Sequence, residues 1–307
     1  MAEEIKDFMQ EFSIKDLENY TGVKAHTIRI WEQRYGLLKP MRTDSNIRKY
    51  SDKELKTLLN ISLLNHRGHK ISEIARMPQT KISELIEEYS VSSQNDDTIM
   101  ATLKLAMLNF DEKLFCSVVD LRIATHGLEY TFLNILAPFL REIGVLWMSS
   151  SICPAQEHFI SNLIRQKLYA QTNRILPDMV SANAECFVLF LPEMEFHEIS
   201  LLMLNYSLRS RGYKTIYLGQ SVPLADLYQV YQRVGPARFV TIITTHPNQV
   251  LLDSYLGKIR DHFSETGCAF HISGPLVKGK KSPEIGLFYL YEHVGEFLKE
   301  YTPTPIN

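Results

Sequence analysis

Between Phe12 and Tyr50 the chain sets two apolar-faced helical segments on either side of Gly22 and follows them with two cationic runs joined by a turn. That order confines the segment to a winged helix-turn-helix. Ser13 supplies a hydroxyl for the first-turn amides, Asp16 stands three residues on, and Ile14, Leu17 and Tyr20 share one face. Thr21-Gly22-Val23 ends this helix, with Gly22 tolerating the positive φ of a tight turn. The second helix, Lys24-Ala-His-Thr-Ile-Arg-Ile-Trp31-Glu32, resumes at the spacing of an element that lies in a major groove. Leu37-Leu38-Lys39-Pro40-Met41-Arg42 and Ile47-Arg48-Lys49-Tyr50, linked by Thr43-Asp44-Ser45-Asn46, read as a hairpin wing.

Charge supports this assignment because it is local. From Lys24 to Lys56 there are nine Lys or Arg against four Asp or Glu, whereas the other residues hold 24 basic and 31 acidic side chains and the whole chain is −2. A cationic segment in an otherwise acidic protein is what phosphate contact requires, and it makes double-stranded DNA the expected partner. The aromatic Trp31, Tyr35 and Tyr50 lie among these charges.

At 307 residues, 45% of them apolar, the chain has room for two or three domains with real cores. No apolar run is expected to reach the roughly 18 to 20 residues that span a bilayer, and the opening Met1-Ala-Glu-Glu-Ile-Lys lacks a cationic start followed by an apolar stretch, so a cytoplasmic location is expected. Cys116, Cys153, Cys186 and Cys268 form no C-x-x-C pair and read as buried small apolar residues rather than zinc ligands or disulfides.

Ile71 to about Glu88 reads as a further helix, and Ser90-Val-Ser-Ser-Gln-Asn-Asp-Asp97 is the best linker candidate. Residues 98–176 then read as four antiparallel helices. The first carries Met100, Leu103, Ala106 and Met107. The second, capped by Asp111, carries Leu114, Phe115, Val118 and Leu121. The third runs from Leu128 to about Trp147, and the fourth starts at Pro154, a residue suited to a first helical position.

The last third changes period. The apolar runs Cys186–Leu191, Lys214–Gly219, Phe239–Ile243 and Ala269–Ile272 alternate with helical stretches, which implies a doubly wound parallel sheet whose ligand site lies off the carboxyl ends of the strands. The expected fold is therefore multidomain α and α/β: a winged helix-turn-helix over 12–90, a four-helix bundle over 96–177 and a flavodoxin-like α/β domain over 183–301.

The run Thr27-Ile-Arg-Ile-Trp-Glu-Gln-Arg-Tyr-Gly-Leu-Leu-Lys-Pro40, followed by Arg42-Thr43 and Arg48-Lys49-Tyr50-Ser51, resembles the DNA-binding domain of MerR-type transcriptional regulators over roughly residues 12–80. Ser51-Asp-Lys-Glu54 is a capping box opening the next helix, whose face Leu55, Leu58, Leu59, Ser62 and Leu63 packs the domain. The resemblance implies DNA contact by Lys24, His26, Thr27, Arg29, Arg34, Tyr35, Arg42, Arg48, Lys49 and Tyr50. For Trp31 and Tyr50 a place in the core is the competing reading.

The loops after the sheet's first, third and fourth strands are similar to a cobalamin-binding module. That module has an acidic-x-His-x-x-Gly loop, a small hydroxyl residue about forty residues on, and a Gly-Gly pair, matched here by Glu195-Phe-His197, Thr241 or Thr244, and Ser273-Gly274. The resemblance implies an imidazole ligating cobalt from below, with an acid holding its other nitrogen and small residues admitting the cofactor's nucleotide tail. His197 is the implied cobalt ligand and Glu195 its orienting partner. Nine residues separate Trp147 from Glu157-His158, a spacing similar to the cap of the CarH-like MerR-type cobalamin photoreceptors, where these residues close over an upper adenosyl group.

Three departures gather at the implied tail slot. Ser200 stands where the loop glycine is expected, Ser273 replaces the first glycine of the pair, and His246-Pro247 adds bulk after the third strand. The leading reading is a DNA-binding regulator, not an enzyme, gated by a cobalamin held between bundle and α/β domain. The family implies adenosylcobalamin and light-sensitive assembly as a dimer or tetramer. A second reading keeps DNA binding and turns the cofactor module into an oligomerisation or partner surface. A corrinoid-dependent methyl-transfer or mutase subunit ranks last, since such an enzyme has no use for a cationic wing.

Overall fold

A computed structural model describes residues 11–92, 96–148, 152–176, 185–282 and 286–301. The chain divides into two compact units, residues 1–163 and 164–307.

In the N-terminal unit, α1 (Ile14–Thr21) is opened by the Ser13/Asp16 capping box and closed by Gly22 at φ 71°. α2 (Ala25–Tyr35) buries Ile28 and Trp31. Its N-cap, Lys24, offers no side-chain acceptor; Glu18 of α1 reaches across instead, accepting from the Ala25 amide at 3.2 Å. The wing strands β1 (Met41–Arg42) and β2 (Arg48–Lys49) pair antiparallel and are shorter than the sequence runs. α3 (Asp52–His66) begins at the Ser51/Glu54 capping box as expected.

After α4 (Ile71–Ile74), helix α5 (Gln79–Ser92) takes in the first three residues of the expected linker, and α6 (Asp96–Asn109) begins with its last two. Residues 93–95 lie outside the described set. Nearly all of α6 from Thr98 to Leu108 is buried, because it packs on α1, α3 and α5 and also on α7 (Glu112–His126) and α8 (Leu128–Met148). A helix apolar all round must be covered all round. The bundle's first helix thus completes the core of the DNA-binding domain. Lys104 of α6 adds a polar tie, donating to the Tyr20 carbonyl of α1 at 3.1 Å and pairing with Glu142 of α8 at 2.6 Å.

α8 is 21 residues long, with a π turn over Phe132–Leu136, and is long and apolar enough to cross a membrane by length and composition. This corrects the expectation that no such run exists. Phe132, Leu136, Phe139 and Ile143 of α8 are buried against protein. α9 (Pro154–Thr172) completes the four helices, and the division between units falls within it.

The C-terminal unit is a parallel five-stranded sheet in the order β4-β3-β5-β6-β7, comprising β3 (Cys186–Pro192), β4 (Lys214–Val222), β5 (Arg238–Ile242), β6 (Ala269–Ser273) and β7 (Phe288–Tyr291). α10 (Ile199–Ser210) and α13 (Val294–Glu300) cover one face through Leu201, Leu204, Leu208 and Phe297. α11 (Leu224–Val234) and α12 (Leu252–Phe263) cover the other over Phe190, Phe239 and Phe270. The sequence reading omitted β7, whose four residues are too few to show a period. Of the four free cysteines only Cys268 is buried; Cys116, Cys153 and Cys186 are partly exposed, contrary to expectation.

Candidate cofactor and nucleic-acid sites

Burial of Ile28 and Trp31 fixes which side of α2 faces outward. Lys24, His26, Arg29 and Arg34 are exposed, and Thr27 and Tyr35 are partly so. The outward side also carries Ile30 and Gln33, two positions that a search for charged and aromatic residues passes over. Arg42 is exposed at the wing and donates to Asn46 at 2.6 Å, while Lys49 is half-buried beside Glu11.

Two members of the implied contact set sit differently. Tyr50 is fully buried, its backbone bridged to Phe12 and its hydroxyl donating to Glu32 at 3.1 Å, so it is core and cannot reach DNA. Burial, reinforced by the Glu32 carboxylate, pushes its phenol well above the ordinary range. Arg48 Nε pairs with the same Glu32 at 3.1 Å. Glu32 therefore fastens the wing to α2, and Trp31 too belongs to the core.

In the C-terminal unit, the order β4-β3-β5 makes the chain reverse direction between β3 and β5, and at such a switch point the loops leaving two neighbouring strands diverge around a crevice. Glu195 joins those two loops. Its Oε2 accepts from the amides of Thr244, Thr245 and His246 at 2.9, 2.6 and 3.0 Å. Its Oε1 accepts from the amides of Phe196 and His197 at 3.0 and 3.1 Å and from His197 Nδ1 at 2.5 Å. Burial alone would raise the carboxyl pKa, but the His197 ring and these amides outweigh it and hold Glu195 well below the usual carboxylate range. An ionised carboxylate only accepts, so His197 carries its proton on Nδ1. Nε2 is then the atom a neutral ring offers to a metal.

The His197 side chain is 57% exposed, whereas Glu195 is completely buried. The next residue is also tied: Glu198 pairs with Arg165 at 3.1 Å and accepts from Tyr217 at 3.1 Å. The imidazole is thus presented to the outside on a loop fixed from both sides. Its sequence neighbours Met194 and Phe196 are exposed apolar side chains, as are Val250 and Leu251 further along the loop after β5.

Strand alternation puts Thr241 on the sheet face shared with Phe239 and Ile243, beneath α11 and α12. Its Oγ1 and the Tyr255 hydroxyl of α12 are buried without a partner among the described residues. Thr244 is partly buried and contributes its amide to Glu195. Gly274 has φ 121°, and a Cβ there would lie 2.4 Å from the Ile243 carbonyl oxygen, so this loop does require glycine. Ser273 is buried at the end of β6, Ser200 is half-buried in α10, and His246 is exposed. The bulk of His246 is therefore directed to the surface rather than into the layer beneath Thr241.

In the N-terminal unit, Trp147 is 46% exposed near the end of α8. Glu157 and His158, in the first turn of α9, pair with each other at 2.6 Å, and the His158 side chain is 69% exposed.

Residues 12–81 match the MerR HTH family regulatory proteins, and residues 99–170 match the B12 binding domain. The HTH-type transcriptional repressor CarH of Myxococcus xanthus is 31% identical over 222 residues, 70% of this chain and 73% of that protein. The HTH-type transcriptional repressor CarA of the same organism is 29% identical over 234 residues, 73% of each chain. The structure of the Methanosarcina barkeri monomethylamine corrinoid protein matches with a TM-score of 0.54 at 14% identity, covering 64% of this chain and 94% of that one, a likeness of fold.

Proposed function

Since the chain belongs to the CarH-like MerR-type transcriptional regulators and carries a B12-binding domain, we propose that its DNA binding is switched by adenosylcobalamin and by light. His197, oriented by Glu195, would hold the cobalt, and Trp147, Glu157 and His158 would receive the adenosyl group. Thr241, Thr244, Ser200, Ser273 and Gly274 line the path of the nucleotide tail. When bound, the cofactor supplies a light-sensitive carbon–cobalt bond.

The observation that carries this reading is the Glu195 cage: a buried, multiply bonded carboxylate whose ring partner His197 is left 57% exposed. Holding one imidazole nitrogen so firmly has a clear use if the other must meet a metal. The donor set fits a corrinoid in two further respects. The apolar side chains Met194, Phe196, Val250 and Leu251 suit the face of a macrocycle, and the hydroxyls of Thr241 and Tyr255 suit the polar atoms of a buried tail.

The DNA-contacting set is Lys24, His26, Thr27, Arg29, Arg34, Tyr35, Arg42 and Lys49, with Arg48 acting through its pair with Glu32. The regulator acts in the cytoplasm as a homo-oligomer, a dimer or tetramer, matching a palindromic operator. The test is direct. Purified protein is mixed with adenosylcobalamin in the dark, passed over a sizing column, and its visible spectrum recorded before and after green light. Retained corrinoid whose band is lost in His197→Ala and altered by light supports the proposal. Elution without corrinoid supports a module given over to partner binding.

A further inference from the structure

The outward side of α2 holds one residue that phosphate contact does not explain. At about 100° per residue, Ile30 lies about 200° from Ile28 and so close to opposite the buried face. Its neighbours on that side are His26, Arg29 and Gln33, all exposed. Ile30 itself is 50% exposed, a β-branched apolar side chain in the middle of a polar, cationic row. Arg29 and Arg34 on the same helix, with the exposed Arg42 on the wing, make a duplex the charge-complementary occupant of this surface. Within a major groove, the apolar feature available to such a side chain is the C5-methyl group of thymine.

We propose that Ile30 reads thymine, burying its side chain against the C5-methyl of one base in the operator. Arg29, His26 and Gln33 can donate or accept at base edges, but they gain little from a methyl group. A residue that does so adds sequence discrimination without adding affinity for phosphate. The inference rests on the DNA-contact face proposed above.

The experiment uses the full chain in the dark, both alone and with adenosylcobalamin, since DNA binding is proposed to depend on that cofactor. Duplexes are selected from a random pool, and each thymine of the selected sequence is then replaced singly by deoxyuridine, which removes only the methyl group. At one or more thymines, wild-type affinity should fall about fourfold, the effect of one methyl group leaving an apolar contact. Ile30→Ala should bind the thymine and uracil duplexes equally well there, and Ile30→Val should keep part of the difference. Since Ile30 is half exposed, both variants should keep the parental melting temperature. Equal methyl sensitivity in wild type and Ile30→Ala, or none at any thymine, would overturn the inference while leaving the DNA-contact face standing. Failure to select any duplex would overturn that face, and the inference with it.

Discussion

Replacing Glu195 by Gln tests whether the buried carboxylate is the keystone of the switch-point loops. Glutamine keeps the shape and one acceptor oxygen but puts an NH2 group where the second oxygen was. If the nitrogen takes the Oε2 position, the amides of Thr244, Thr245 and His246 face a donor. If it takes the Oε1 position, the amides of Phe196 and His197 and the His197 ring do. The first arrangement leaves three donors unmet and the second two, since the His197 ring can then carry its proton on Nε2 and accept at Nδ1. At about 1 kcal/mol for each net hydrogen bond lost, the variant should be destabilised by about 2 to 3 kcal/mol at pH 7. For a unit of this size that is a fall of roughly 4 to 12 °C in melting temperature. Thermal unfolding followed by circular dichroism measures it. The pH dependence carries a second check. A carboxyl held below its ordinary value of 4.5 stabilises the fold fully above that value and progressively less below it, so the gap between wild type and variant should narrow towards pH 3. A variant melting within about 2 °C of wild type, or a gap unchanged at pH 3, would refute the reasoning.

Three further substitutions probe other parts of the fold. Gly274→Ala should destabilise the C-terminal unit by about 3 kcal/mol or more, read by urea unfolding, because its Cβ would meet the Ile243 backbone and φ 121° suits glycine alone. Lys104→Ala should cost the N-terminal unit about 2 to 3 kcal/mol, since it strips a buried donor from Tyr20 and a partner from Glu142, whereas Glu142→Gln, at a half-exposed end of the pair, should cost under about 1 kcal/mol. His271 is buried between Tyr291 Oη at 2.8 Å and Tyr301 Oη at 3.3 Å, and burial, aided by Arg238, lowers its pKa to about 3. Its neutral form is favoured in the fold, so stability should be complete above about pH 6.5 and decline as pH falls towards 3. His271→Phe should flatten that decline in melting curves taken from pH 7 to 3.

Much of this architecture was legible because its signals are short-range. The Ser13/Asp16 and Ser51/Glu54 capping boxes, the Gly22 turn and Asp111 at the head of α7 depend on residues three or four apart, and each stands where the spacing placed it. The β-to-α alternation likewise announced the parallel sheet and the strand ends where a ligand would lie. The acid and imidazole of Glu195-Phe-His197 were visible as a motif, but the three amides of residues 244–246 that complete the cage come from a loop some fifty residues away.

Sequence by itself determined the elements, the locality of the positive charge and the family, all of which follow from periodicity, composition and contiguous motifs. Tertiary packing decided the rest. It put Tyr50 in the core, where its backbone bridges to Phe12 and its hydroxyl donates to Glu32. It made Asp96 and Asp97 the first turn of a helix that is buried from Thr98 onward, because α6 is covered from both sides. It also turned Ile30 outward beside Arg29, a direction fixed by which faces of α2 found apolar partners. Burial is a property of what a side chain meets after the chain has folded, and residues distant in sequence supply most of what it meets.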